Sequence, residues 1–249
     1  MQNKLKELYM QSSKHSNYQI LPSALKPLID DSDMKVRSRY EKERLEYICA
    51  NVELRDKTVL DIGGNIGFFT FEAITQGAGS ADYYEGNTVH AEFAETAAGL
   101  LGLSDRITVH PEYYLFNDTS AKYDVVFLLN VVHHFGDDFG QAGSIENAKQ
   151  EMLRCINHMS YVSDMMVFQM GFNHCGDRYR CLWEKGTKSE MEEYLEKGTA
   201  EHWDIIKTGI AVKKENGIVY EDMNEKNNVR IDSLGEFLNR PIFIMKSKH

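Results

Sequence analysis

Short apolar segments alternate with amphipathic ones along most of this 249-residue chain, and that alternation restricts its fold more than any other feature. Strand-like apolar patterns occur at residues 58–62, 81–84, 106–110, 123–129 and 161–169. Helical patterns lie between most of them, at residues 68–76, 88–101 and 144–159. Strands that alternate with helices predict an α/β fold with a doubly wound, mostly parallel sheet.

The two ends of the chain are less regular. A helix is predicted at residues 37–50, and we expect residues 1–50 to form an N-terminal helical cap or lid over the main domain, residues 51–249. After the fifth strand, polar and aromatic residues predict a substrate-facing insertion at about residues 171–200. A capping box begins a further helix at Thr187, and the patterns at 205–212 and 241–246 predict closing strands.

Charge and composition exclude several classes of protein. Lys and Arg number 28 against 38 Asp and Glu, so the net charge of −10 disfavours unspecific binding to polyanions. No apolar stretch approaches the roughly 20 residues of a membrane span, and the first residues lack an apolar signal segment. The four cysteines are scattered, and His174, Cys175, Asp177 and Cys181 match no strong zinc spacing, so we expect no metal site. These features predict a cytoplasmic protein.

The first strand runs directly into a glycine-rich turn. Asp61 is followed by Gly63, Gly64, Asn65 and Gly67 before the next helix. This spacing differs from the G-x-G-x-x-G of nicotinamide-cofactor sites, and no Gly-Lys-Ser/Thr of a phosphate-binding loop follows. A carboxylate beside the turn would repel a pyrophosphate, so a ligand that carries positive charge fits better.

Two later strands also end in polar residues. Glu85 follows the second strand, where a carboxylate can accept hydrogen bonds from a ribose diol. The buried strand at 123–129 ends in Asn130, His133 and His134. Because the carboxyl ends of strands form the ligand-binding edge of a doubly wound sheet, these residues are candidates for one site.

Together these motifs resemble those of the class I S-adenosylmethionine-dependent methyltransferases. The resemblance covers about residues 50–170, with Asn65 in place of the middle glycine of the family's first motif. It implies a Rossmann-like sheet of seven strands whose last strand is antiparallel. It implies S-adenosylmethionine as cofactor, S-adenosylhomocysteine as product, Glu85 on the ribose, and Glu112 and Tyr113 beside adenine. The cofactor-binding residues predicted in this way are Asp61, Gly63, Gly64, Asn65, Gly67, Glu85, Gly86, Asn87, Glu112, Tyr113 and Asn130.

A hydroxyl that attacks an activated methyl must lose its proton, and histidine is a natural general base near neutral pH. His133 and His134 are the candidates, and a structural role for either is the alternative. The residues after the fifth strand could contact the acceptor, and the candidates there are Gln169, Asn173, His174 and Arg178.

The predicted activity is therefore O-methylation of a small or carbohydrate-linked acceptor. Two alternatives stay open. An RNA nucleoside methyltransferase would need a basic surface formed by Arg37, Arg39, Arg44, Arg178 and Arg180. A non-catalytic S-adenosylmethionine-binding module would keep the glycine turn but lack an accessible base.

Overall fold

The computed structural model describes residues 2–11, 19–29, 36, 38–137 and 139–249. Residues 13–18, a donor-rich part of the N-terminal segment that we predict to form a lid, lie outside these residues, as does Arg37. In the described part the helices are α1 Gln2–Met10, α2 Glu41–Asn51, α3 Phe68–Thr75, α4 Thr88–Leu101, α5 Ile145–His158, α6 Lys188–Thr199 and α7 Gly235–Leu238. The strands are β1 Thr58–Ile62, β2 Ser80–Tyr84, β3 Ile107–His110, β4 Tyr123–Leu129, β5 Ser163–Gln169, β6 Trp203–Lys214, β7 Gly217–Asp222 and β8 Ile242–Ser247.

The strands form a mixed sheet in the order β3-β2-β1-β4-β5-β8-β6-β7. The α/β architecture is confirmed, but the expected count of seven strands with one antiparallel member is wrong. The sheet has eight strands, and β8 pairs antiparallel with both β5 and β6, as does β6 with β7. The additional strand β7 returns from β6 through a two-residue turn, and only Tyr220 within it is buried.

The chain divides into two compact units. The first comprises Met1–Leu45, Glu53–Tyr114 and Tyr123–Phe127. The second comprises Glu46–Val52, Leu115–Lys122 and Leu128–His249.

In the first unit, β1 pairs parallel with β2, and β2 pairs parallel with β3. Every residue of α3 from Phe68 to Ile74 is buried, which explains why this helix is mostly apolar, with Thr70 and Glu72 as its buried polar residues. The N-terminal segment packs on the same unit. Tyr9 of α1 contacts Phe93 of α4 with ring centroids 5.9 Å apart, and the Gln19 side chain accepts a hydrogen bond from the Phe68 N–H at 3.4 Å.

In the second unit, the antiparallel strands β5, β8, β6 and β7 pack beside α5 and α6. The helix α5 buries one stripe of residues, Ala148, Met152 and Ile156 among them. The capping box of α6 is present, because Thr187 accepts from the Glu190 N–H and Glu190 accepts from the Thr187 N–H. None of the helices in the described residues is long and apolar enough to cross a membrane.

Candidate active site

The glycine turn of the first unit is held in a conformation that its residues favour. Gly63 and Gly67 have φ of +67° and +81°, and Asn65 lies in the same left-handed region at +58°. Glycine adopts this region without steric cost, and asparagine tolerates it better than most residues do. The turn therefore folds tightly between β1 and α3, and Gly67 is the N-cap residue of α3.

Gly64 is needed for a different reason, which is close packing. A Cβ atom at this position would lie 2.6 Å from the Tyr83 ring and 2.7 Å from the Asp61 carboxylate. The Tyr83 hydroxyl also donates a hydrogen bond to the Asn65 carbonyl, so the turn rests directly on this ring.

Asp61 lies beneath the turn, 2% exposed. Its carboxylate accepts a hydrogen bond of 2.6 Å from the Thr70 hydroxyl at the start of α3. Burial raises the pKa of Asp61 to about 6, although the bond from Thr70 acts in the opposite direction. The carboxylate is thus mostly ionised at pH 7 in a buried position, where a nearby positive charge stabilises it most.

Glu85 connects the ends of the first two strands. One carboxylate oxygen accepts from the Asn65 N–H at 2.8 Å, and the other accepts from the Asn87 N–H, also at 2.8 Å. Residues that are 20 positions apart in the chain are thereby joined at one end of the sheet. The two N–H groups fix the direction of the Glu85 carboxylate. Because Glu85 is only half-buried, the carboxylate remains accessible.

Asn87 has a structural role that sequence reasoning overlooked. Its side-chain oxygen accepts from the N–H groups of Val89 and His90 at 3.0 and 3.2 Å, and it is therefore the N-cap of α4. His90 is buried, and its Nδ1 accepts a hydrogen bond from the Asn65 side-chain amide at 3.2 Å. The cap of α4 and the glycine turn are thus part of one hydrogen-bonded assembly.

The predicted adenine-flanking pair lies in the same unit. The Tyr113 ring covers Gly86 so closely that a Cβ there would lie 2.3 Å from it, and Tyr113 is 48% exposed. Glu112 is exposed, and its N–H donates to the His110 carbonyl at 2.9 Å. The structure thus has a flat, accessible aromatic ring beside Gly86, the residue that follows Glu85. The side chain of Glu112 contacts no hydrogen-bond partner among the described residues.

The second unit contains the remaining predicted residues, and two of them join a hydrogen-bonded ring. Asn130 has φ of +63° directly after β4. Its side-chain N–H donates to the Gln169 side-chain oxygen at 2.9 Å, and the Gln169 side-chain N–H donates to the Arg240 carbonyl at 3.0 Å. The Arg240 guanidinium closes the ring by donating to the Asn130 side-chain oxygen at 2.7 Å.

Glu236 completes this polar cluster. It lies one helical turn before Arg240, and the two side chains pair at 2.5 Å. Burial opposes ionisation of Glu236, but the Arg240 charge and hydrogen bonds outweigh it and lower the pKa of Glu236. Sequence reasoning missed both residues, because only the antiparallel pairing of β5 with β8 brings position 240 beside position 169.

The two candidate bases differ in their surroundings. His133 is 1% exposed, and its Nδ1 accepts a hydrogen bond from the Gly171 N–H at 3.2 Å. In this contact Nδ1 acts as the acceptor, so it carries no proton. The His134 side chain is 18% exposed, and its Nδ1 lies 3.9 Å from the Asp137 carboxylate. The two rings contact each other at 4.4 Å between centroids.

The candidate acceptor-binding residues after β5 are not equivalent. Gln169 belongs to the ring described above, whereas His174 is buried and its Nε2 donates to the Phe135 carbonyl at 2.7 Å. Asn173 is half-buried and forms an isolated bridge with Cys181. Arg178 is exposed and lies over the Tyr179 ring at 4.7 Å. Among the described residues no group of three or more His, Cys, Asp or Glu could hold a metal ion.

Comparison with known proteins shows which solved structures share this architecture. No protein-family model matches the chain, and no curated protein matches it significantly. The solved structure of the bifunctional kinase-methyltransferase WbdD matches with a TM-score of 0.62 and 12% identity, over 97% of this chain and 46% of that one. The candidate methyltransferase yhhF from Escherichia coli matches with a TM-score of 0.50 and 10% identity, over 84% and 85%.

The chain has the fold of the class I S-adenosylmethionine-dependent methyltransferases. It spans a little under half the length of WbdD. Sequence identities of 10–12% show that the folds are similar, and they do not determine the substrate.

The first-unit residues of this methyltransferase fold suit S-adenosylmethionine. Gly64 and Gly86 lie where a side chain would collide with Tyr83 or Tyr113. The turn contains no Lys or Arg that would favour a pyrophosphate, and two carboxylates, Asp61 and Glu85, lie at the strand ends. That donor and acceptor set matches a cationic ligand with a ribose and a flat base.

Proposed function

We propose that this chain is an S-adenosylmethionine-dependent methyltransferase that methylates a hydroxyl of a small or carbohydrate-linked molecule. The observation that carries the proposal is the Glu85 carboxylate, which the Asn65 N–H fixes at 2.8 Å where β1 and β2 end. An oriented acceptor at this place, next to a tight glycine turn, is what a ribose diol requires.

S-adenosylmethionine supplies an activated methyl group when it is bound. In the proposal, Glu85 accepts hydrogen bonds from the ribose hydroxyls, because a carboxylate has about four acceptor positions and two backbone amides fix its direction. Tyr113 provides an exposed ring for the base. The buried Asp61 charge favours a positively charged ligand and disfavours one with a pyrophosphate.

Of the two candidate bases, we favour His134 as the residue that receives the hydroxyl proton. The Nδ1 of His133 already accepts from the Gly171 N–H, so a second proton on that ring would break this contact. His134 is more exposed, and its Nδ1 lies 3.9 Å from the Asp137 carboxylate. The variant His134→Asn should therefore lower turnover while leaving cofactor affinity unchanged, whereas His133→Asn should mainly destabilise the fold.

An RNA acceptor is the second candidate, and it receives less support. Arg44, one of the arginines expected in a basic surface, is 3% exposed and lies 4.9 Å over the Phe69 ring. It is thus a packing residue and is not available to phosphates. The expected cytoplasmic location stays a prediction.

Calorimetric titration with S-adenosylhomocysteine tests the cofactor site. We expect Glu85→Ala to weaken binding at least tenfold, about 1.4 kcal/mol. Glu95→Ala is the matched control, since Glu95 is an exposed carboxylate on α4 and its loss should leave the affinity unchanged. NADH should not bind the wild-type protein. Equal affinity of both variants, or tight NADH binding, would exclude the site assigned here.

A labelled-methyl transfer assay against fractionated cell extract tests the activity itself. Incorporation into the small-molecule or glycan fraction supports the proposal, and incorporation into RNA would support the second candidate. Binding of S-adenosylhomocysteine without transfer to any fraction would favour the non-catalytic module.

A further inference from the structure

Two histidines meet at one edge of the second unit. His202 directly precedes β6, and His249 follows β8. The two strands pair antiparallel with Trp203 opposite Ser247, and this register brings the two imidazole rings together. Nδ1 of His202 and Nε2 of His249 are 3.2 Å apart. Because 47 positions of sequence separate the two residues, no local spacing in the sequence indicates this pair.

A serine hydroxyl lies against the same histidine nitrogen. Ser160 Oγ is 3.3 Å from Nδ1 of His202, and the hydroxyl donates its hydrogen to the Asn157 carbonyl at 2.7 Å. A hydroxyl has only one hydrogen, so the Ser160 oxygen can face His202 only with a lone pair. Three atoms that each have a lone pair therefore converge here, and at most one hydrogen fits between the two neutral rings.

The Tyr161 ring restrains both imidazoles. It stacks on the His249 ring with centroids 4.2 Å apart and 20° between the planes, and it contacts the His202 ring at 5.6 Å. Tyr161 is 40% exposed, so the cluster lies at the surface, where an ion can reach it from solvent. The neighbouring Lys248 ammonium pairs with the Asp204 carboxylate at 3.1 Å, which reduces its repulsion of a cation.

We propose that His202, His249 and Ser160 bind a divalent metal ion, and that Zn²⁺ suits the site best. Zn²⁺ prefers imidazole nitrogen at about 2.0–2.1 Å. Two nitrogens at that distance from one tetrahedral ion are about 3.3 Å apart, close to the 3.2 Å between these rings. The Ser160 oxygen is a third, weaker ligand, and water completes the coordination. Each ring then carries its hydrogen on the nitrogen that does not bind the ion, so both stay neutral.

The proposed metal site is separate from the candidate active site and does not depend on the proposed function. Ser160 precedes the amino end of β5 and Gln169 is at its carboxyl end, and a strand of seven residues is roughly 20 Å long. A bound ion would link the starts of β5 and β6 to the end of β8. Because the unfolded chain does not hold the two rings together, the ion stabilises the folded second unit.

Calorimetric titration of the full chain with ZnCl₂ tests the site. We expect His202→Ala and His249→Ala each to weaken binding on the order of tenfold or more. His110→Ala is the matched control, since His110 is a half-buried histidine of the first unit that contacts Asp82 at 3.3 Å, and its loss should leave the affinity unchanged. MgCl₂ should not bind, because Mg²⁺ prefers oxygen ligands. A wild-type protein that binds no zinc, or equal affinity in all three variants, would overturn the proposal.

A measurement on the wild-type protein keeps the proposal testable even if a variant fails to fold. In protein with nitrogen-labelled histidine, ZnCl₂ should shift the resonances of His202 Nδ1 and His249 Nε2 and leave those of His110 in place. The melting temperature should rise with ZnCl₂ and return to its starting value with a chelator. Shifts confined to other histidines would refute the site and leave the proposed methyltransferase function standing, since neither measurement involves methyl transfer.

Discussion

At the residue scale, the candidate cofactor site depends on how closely side chains approach the glycine turn. Tyr83 supports the turn from below, through ring contact with Gly64 and a hydrogen bond to the Asn65 carbonyl. Asp61 lies in the same layer and is tied to Thr70. The turn is therefore shaped by a buried layer as well as by its own backbone.

Gly64→Ala should distort this layer. The added methyl group would lie 2.6 Å from the Tyr83 ring, and overpacking of this kind costs about 1–3 kcal/mol. We expect a lower melting temperature and weaker S-adenosylhomocysteine binding. Gly99→Ala is the control, because the nearest atom there is 3.9 Å away and alanine inside a helix should stabilise by about 0.5–1 kcal/mol. Two variants with the same shift in melting temperature would contradict this packing argument.

The buried Asp61 predicts a pH dependence of stability. The native carboxyl keeps its proton up to about pH 6, whereas the unfolded one loses it near 3.9. Between these values the native state binds more protons, so the free energy of unfolding falls as pH rises, by about 3 kcal/mol from this group. Asp61→Asn lacks the effect. Urea denaturation followed by circular dichroism at pH 4–7 should show the wild-type advantage over this variant shrinking with pH, and a constant difference would refute it.

At the scale of elements, hydrogen bonds join the end of the second strand, its connecting loop and the start of α4. Glu85 accepts from the Asn87 N–H, and Asn87 caps α4. The end of β2 and the start of the helix are thereby set in position together. By contrast, the capping box of α6 at Thr187 involves none of the predicted cofactor residues.

This difference predicts a separation of stability from binding. Asn87→Ala and Thr187→Ala should each cost about 1 kcal/mol of unfolding free energy, since each removes an N-cap. Only Asn87→Ala should also weaken S-adenosylhomocysteine binding. Without the cap, the backbone N–H of residue 87 is no longer fixed, and the Glu85 carboxylate that accepts from it loses its orientation. Thermal melts and calorimetry on both variants decide the matter, and equal effects on binding would show that the cap and the cofactor site are independent.

At the scale of the whole molecule, the two units were predictable to different degrees. In the first unit the signals are local: β1 and α4 begin and end where the apolar pattern and Gly102 predict. In the second unit we did not predict β7, although Asn216 and Gly217 are a typical hairpin-turn pair before the apolar residues Ile218, Val219 and Tyr220. Position 240 contacts position 169 only because two distant strands pair antiparallel, and no local spacing encodes that.

The same contrast holds for the roles of individual residues. A sequence can place Asn130 at a strand end, but the direction of its amide depends on Arg240 and Gln169. It can propose two neighbouring histidines as bases, but the Gly171 N–H that occupies one of them becomes visible only in the folded chain. Chemistry that depends on hydrogen-bond polarity requires the tertiary structure.

The Gln19 side chain, which accepts from the first amide of α3, has a kinetic consequence. The hydrogen-bond partner of that amide lies 49 positions earlier in the sequence. Residues close to the glycine turn in sequence therefore cannot supply this hydrogen bond. Closing so long a loop delays this contact relative to the local ones. We therefore expect the glycine turn to form late in folding, after the strand and helix that flank it have already met.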